Sequence, residues 1–396
     1  MKYMFLCILL IFALPAVSQQ EDDLTIARQL IASKQYASAH IILEGAIQRD
    51  GLLSPIVTSF VENMIENHFQ QRGFTTFYLQ NEPASDTADS SIVIASGRHP
   101  DRLLRKLLAQ KGNSAIAHRL LGDFYSLQLS IDNGSQIVDL STVLKLKNTI
   151  FTHYSKAVTL GSSNTRVNRW LGVYYNDYGQ KEIAREYFLK NSKQDDAQSW
   201  YYLAQITFRE KQYNDAYNYT IRALKQKHKL SLEQHYETNR FAALSLKRIG
   251  EEDRFLEYMT RCIHIMPDQQ DAYLDLIDFY LDKQDLKRVE QLLNAMLLHN
   301  AYNAPGFKAL ERYCSKSGDF AFADKIFEQL MGICEHSDEC MGNIYQYRGN
   351  MLYYQGLIDQ AKTQWDLSRR YFARILPQDD IKFREIGAIS RESSMK

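Results

Sequence analysis

Proline and glycine are scarce in this chain, at 7 and 18 of 396 residues. So few helix breakers argue against a low-complexity or turn-rich protein and leave room for uninterrupted helices. An excess of either charge is missing too, because 47 Lys and Arg balance 47 Asp and Glu. A neutral chain carries no global electrostatic footprint for nucleic acid or an anionic membrane, and only a local patch remains open. Beyond the first twenty residues no apolar run is long enough to cross a bilayer. Catalytic signatures are absent as well: there is no phosphate-binding glycine loop, no HExxH and no GxSxG. The acidic pairs Asp22-Asp23, Asp195-Asp196, Glu251-Glu252 and Asp379-Asp380 fall at turns or helix starts, where carboxylates favour the helix dipole. None is matched by spacing to a candidate acid, base or nucleophile. No enzyme activity, cofactor or metal is therefore expected.

What is present begins with an N-terminal export pattern. Lys2 precedes the apolar run Met4 to Leu14, and Ala16-Val17-Ser18 supplies small residues for cleavage after Ser18. The run is too short to span a bilayer comfortably, and Cys7 lies inside it rather than at its end. The reading is a signal peptide over 1–18 and an exported protein, periplasmic or otherwise secreted, with no stable membrane insertion after cleavage.

The mature chain repeats. Trp200, Leu203 and Ala204 lead to Ala216, Thr220 and Ala223, and similar sets recur along the sequence. Stepping along Ala184, Ala216, Phe255, Val289, Ala323 and Ala361 gives intervals of 32, 39, 34, 34 and 38 residues. A period near this value marks stacked helix pairs, each burying its apolar face against its neighbours. The small residues suit close helix crossings, and the 25 tyrosines and 19 phenylalanines suit the space beside them.

This pattern resembles the tetratricopeptide repeat (TPR) family: a large residue, then Leu, Gly or Ala and Tyr on helix A, then Ala, Phe and Ala on helix B, often closed by a proline such as Pro267. The resemblance implies an all-α fold, a right-handed α-solenoid of about nine antiparallel helix pairs over 19–385. Breaks are expected near 74–98, where NEPASDTADSS is polar and acidic, and near 130–145, where a loop or helical extension would delay the second helix by 16 residues. Residues 386–396 read as a flexible tail.

The resemblance also implies where a partner would bind, on the concave surface lined by the A helices. Projecting the register places Arg166, Arg169, Asn176, Tyr201, Gln205, Arg209, Arg240, Lys247, Arg248, Lys308, Arg312 and Lys316 there, with Tyr201 and Phe208 as apolar anchors. In a neutral chain such a basic stripe implies that acids concentrate elsewhere. Arginines in a partly desolvated groove suit extended acidic or C-terminal segments of a protein partner. The stripe resembles that of carboxylate-clamp members of the family without their full Lys and Asn combination. The plainer alternative is a solvated helix face interrupted by Asp271, Asp278 and Asp282. Two other functions are carried: glycan handling by stacking on Tyr201, Tyr353 and Tyr354, and self-association of the array. Cys334 and Cys340 are open to a disulfide or to two free thiols, a metal site with His336 lacking a fourth ligand and a standard spacing, while Cys262 and Cys314 read as inert core thiols.

Overall fold

The structure, a computed structural model, describes residues 21–70, 99–135, 139–302 and 304–389. The expected signal peptide over 1–18 and the break at 74–98 lie outside the described residues. All regular elements among the described residues are helical, and the chain divides into two compact units, Met1–Gln194 and Asp195–Lys396.

The first unit holds four helix pairs: α1 (21–32) with α2 (Tyr36–Asp50), α3 (Ser54–Gln70) with α4 (Pro100–Lys111), α5 (Ala115–Ser135) with α6 (Leu140–Thr159), and α7 (Thr165–Asp177) with α8 (Lys181–Lys190). The expected irregularity at 130–145 is mostly helix. Helix α5 runs for 21 residues and α6 for 20, so the added sequence lengthens one pair instead of forming a long loop. Asp139 makes this sharp restart, its carboxylate accepting from the Ser141 and Thr142 amides at 2.7 and 3.2 Å.

The second unit holds five pairs: α9 (Ala197–Arg209) with α10 (Tyr213–Lys225), α11 (Leu232–Ile249) with α12 (Glu252–Ile265), α13 (Gln270–Asp282) with α14 (Leu286–His299), α15 (Ala304–Ser317) with α16 (Phe320–Cys334), and α17 (Asp338–Tyr354) with α18 (Ile358–Phe372). A short α19 (Lys382–Glu385) follows. Ile386 is fully buried with Trp365 and Phe372, so packing continues beyond residue 385, where the sequence placed the start of a tail. Cys334 is joined to Cys340 across the α16–α17 turn, with Cα atoms 5.7 Å apart. Cys262 and Cys314 are buried free thiols, and burial first of all pushes both up to about 12.

The turn from helix A to helix B has one recurring backbone. Lys34, Gly179, Lys211, Gly250, Gln284, Gly318 and Gly356 all have φ between 59° and 89°, in the left-handed region. At most of these turns the next residue's amide reaches back five positions: Gln180 to the Tyr175 carbonyl (2.8 Å), Gln212 to Thr207 (2.9 Å), Glu251 to Leu246 (2.9 Å) and Asp285 to Tyr280 (3.0 Å). Such a bond closes helix A by satisfying a terminal carbonyl. From Gly179 onward these residues follow one another at the intervals already seen, because each stands five positions before its helix-B marker.

In three of the pairs a glycine of helix A admits an aromatic of helix B. A Cβ on Gly122 would lie 2.3 Å from the Tyr154 ring, on Gly172 2.6 Å from Phe188, and on Gly349 2.5 Å from Trp365. Interhelical distance is thus set by the absence of a side chain, and the fold is an all-α solenoid of TPR-like helix pairs.

Candidate partner-binding face

Helix starts orient the A helices. Asn164 caps α7, its carboxamide oxygen accepting from the Arg166 amide at 3.0 Å, and Asp196 caps α9 by accepting from the Ser199 amide at 3.0 Å. Ser231 and Gln234 form a reciprocal box at the start of α11. Residues spaced along these helices then face away from the B partners.

In the first unit this face is not a row of free cations. Arg166 reaches Glu66 at 2.9 Å and Asp123 at 3.6 Å, while Arg119 reaches Glu62 at 2.6 Å and Asp123 at 3.2 Å. The Tyr154 hydroxyl donates to Asp123 at 2.7 Å. Burial raises the Asp123 carboxyl, and the two guanidiniums work against that rise. Arg166 therefore serves as a counter-charge inside the unit, a correction to its expected role. Arg169 and Asn176 are half-buried on α7.

In the second unit the expected separation of charges is overturned. Arg240 of α11 pairs with Asp275 (3.0 Å) and Asp271 (3.3 Å) of α13. Arg312 and Lys316 of α15 pair with Asp278 (2.7 Å) and Asp282 (3.9 Å) of the same α13. One acidic helix lies between two basic ones, so the acids are interleaved with the bases. Lys247 is also engaged, its ammonium 5.3 Å from the Phe255 ring centre and 5.8 Å from that of Phe279. Lys308 is exposed on α15.

On α9 and α11 the face combines aromatic rings with exposed arginines. Phe208 packs on Phe241 with ring centres 5.3 Å apart, and Tyr201 lies 6.4 Å from Phe241. Burial, followed by the Glu237 carboxylate, pushes the Tyr201 hydroxyl up to about 12, and the Arg209 charge pulls the other way. Tyr201 is 9% exposed, so it forms floor rather than a projecting anchor, while Phe208 and Gln205 are half-buried. Arg209 and Arg248 are exposed and have no ion pair among the described residues. Of the three aromatics of the glycan reading, Tyr201 is buried, Tyr353 is half-buried beside Trp365 at 5.8 Å, and Tyr354 is 50% exposed.

One cluster escaped the sequence reading. His118 of α5 and His153 of α6 face each other with Nδ1 atoms 3.0 Å apart, a distance that admits one shared proton. Burial and then the His118 charge hold His153 down at about 4, Arg105 adds to this, and Asp101 opposes it; burial and Lys156 lower His118. The unfolded chain takes up a proton near 6.5 on a histidine that, as folded His153, refuses it until about 4, so this contribution to stability is full above 6.5 and is lost as pH falls through that window. Thermal melts of wild type should drop between these limits, and His153→Gln should flatten the drop. An unchanged slope in the variant would refute the assignment.

Among the described residues no helix is long and apolar enough to cross a membrane, and no group of three or more ligating side chains could hold a metal ion. These features define a TPR-like helical repeat with a face of mixed charge on its A helices. No known family matches the sequence, nor does any curated protein. Among solved structures the chain is similar to PilF of Pseudomonas aeruginosa (16% identity, 56% of this chain and 96% of that one, TM-score 0.41). It is also similar to PilW, a type IV pilus biogenesis factor (14%, 65% and 98%, TM-score 0.40). A third is the C-terminal part of a TPR repeat-containing protein from Cytophaga hutchinsonii (12%, 72% and 99%, TM-score 0.42).

Proposed function

We propose that this chain is an exported, non-enzymatic scaffold, periplasmic or otherwise secreted, that holds an extended acidic or C-terminal segment of a protein partner in envelope assembly or secretion. The observation that carries the reading is the α9–α11 face, where Arg209 and Arg248 stand exposed and unpaired beside the Tyr201–Phe208–Phe241 floor. Along α11, α13 and α15 a ligand must displace existing ion pairs, each worth only about 0–1 kcal/mol at a surface. At Arg209 and Arg248 a carboxylate meets a guanidinium with no ion pair to displace, and the planar fork can take it bidentately. Export rests on the apolar run Met4 to Leu14, and the Cys334–Cys340 disulfide is the form an oxidising compartment favours.

A peptide array tests the recognition. Retained peptides should be rich in Asp or Glu beside an apolar residue, and Arg209→Glu/Arg248→Glu should lose their binding by about tenfold or more. Equal retention by the double variant would remove this face from the account.

A further inference from the structure

Charge also gathers off the A-helix face, where the α10–α11 turn meets the C-terminal half of α12. A pocket of about 530 Å³ lies there, and Lys227, His235, Arg261 and His264 line it together with the amide side chain of Asn239. Its remaining lining is apolar, from Leu224 and Ile265, and no carboxylate takes part. In a chain of zero net charge this is a marked local imbalance. The turn adds to it, since Lys225, His228 and Lys229 flank Lys227 in sequence.

Helix dipoles account for only part of the pattern. His264 sits in the last turn of α12, where a cation is favoured, and Nδ1 contacts the Thr260 carbonyl at 2.7 Å, which leaves Nε2 for the pocket. Lys227 and His235 instead flank the N-terminus of α11, the end at which a cation is disfavoured. They are close enough that the Lys227 charge lowers His235, after burial has done most of it. A cation held at a positive helix end is relieved by an anion. Arg261 lies over the Tyr258 ring, 4.6 Å from its centre, and one of its nitrogens is taken by Glu257. The guanidinium keeps further N–H donors. Asn239 is anchored by donating to the His235 carbonyl at 2.8 Å.

We propose that this pocket binds a phosphate monoester, with Lys227 and Arg261 as the permanent counter-charges, His235 as an additional donor, and Leu224 and Ile265 against the organic part. A volume of this size accommodates a small polar body as well as the phosphate. The ester can be a free metabolite or the headgroup of a lipid, and the chemistry recognised is the same.

Calorimetric titration of the full chain with glycerol 3-phosphate, beside sedimentation with phosphatidylcholine vesicles with and without phosphatidic acid, tests this. Saturable binding of the soluble ester supports a free ligand; binding of the phosphatidic acid vesicles alone supports the headgroup. In either case Lys227→Gln/Arg261→Gln should weaken binding by about tenfold or more, and Arg288→Gln, an exposed arginine on α14, should not. Circular dichroism melts establish that the variants fold. Absence of saturable binding to both probes, or an unchanged affinity in the double variant, overturns the proposal.

Discussion

Asp123→Ala is expected to destabilise the first unit by about 3–5 kcal/mol, the range for removing one partner of a buried ion pair. The Asp123 side chain is 1% exposed and that of Arg119 13%, so removing the carboxylate leaves a guanidinium with little water to replace it. Tyr154, fully buried, loses its acceptor at the same time. Three helices are affected together: Arg119 is on α5, Tyr154 on α6 and Arg166 on α7. Asp123→Asn keeps an acceptor for Tyr154 and the volume of the side chain, and should be the milder change. Hydrogen exchange reads the effect locally. Amides of α5 and α6 should lose protection in Asp123→Ala, and retained protection there would show that the charge cluster contributes little to the unit.

Gly349→Val is the second large effect. Gly349 lies on α17 where Trp365 of α18 crosses it, and a Cβ would meet Trp365 Cδ1 at 2.5 Å and the Ala361 carbonyl at 3.2 Å. The indole cannot retreat freely, since Nε1 donates to Asn350 at 3.1 Å and Gly387 closes on its six-membered ring, where a Cβ would lie 3.0 Å from Cε3. Two terms compete. Replacing a helical glycine with alanine favours the helix by about 1 kcal/mol, whereas overpacking costs about 1–3 kcal/mol, so alanine should come out near neutral or modestly unfavourable. Valine adds volume against the same wall and gives back part of the helix gain, which leaves a loss of about 2–3 kcal/mol. Gly332 is the control, being helical and exposed with nothing within 4 Å of its would-be Cβ; Gly332→Ala should stabilise slightly. Urea unfolding of the three variants decides the matter, and equal midpoints for Gly349→Val and wild type would mean that the crossing distance is not set by this glycine.

The repeat itself was legible because periodic burial leaves periodic composition. Ala184, Ala216, Phe255, Val289, Ala323 and Ala361 are all buried, and each follows its left-handed turn residue by five positions. Where that turn residue is Lys211 or Gln284 instead of glycine, the backbone is the same but the residue type gives no warning. The binding face was less legible, for a different reason. Charge on a helix face can be counted from sequence, but its partner sits in the neighbouring repeat. Arg312 and Asp278 are 34 residues apart, as are Lys316 and Asp282. Opposite charges offset by one repeat period were therefore a usable signal, and they turn the expected basic stripe into alternating rows. Asp123 had no such signature: it follows a glycine in an ordinary helix, and only the fold brings Arg119, Tyr154 and Arg166 around it.

The central claim is that a partner lies on the A-helix face of α9 and α11. A photo-crosslinking amino acid placed singly at Gln205 or Arg248, and for comparison at Lys190 on α8 or Lys287 on α14, tests it in the intact chain within its own cell. The account predicts one recurrent adduct from Gln205 and Arg248, with an acidic segment of the partner at the crosslinked site, and little from Lys190 and Lys287. Adducts from the α8 and α14 positions, with none from Gln205 or Arg248, would contradict it.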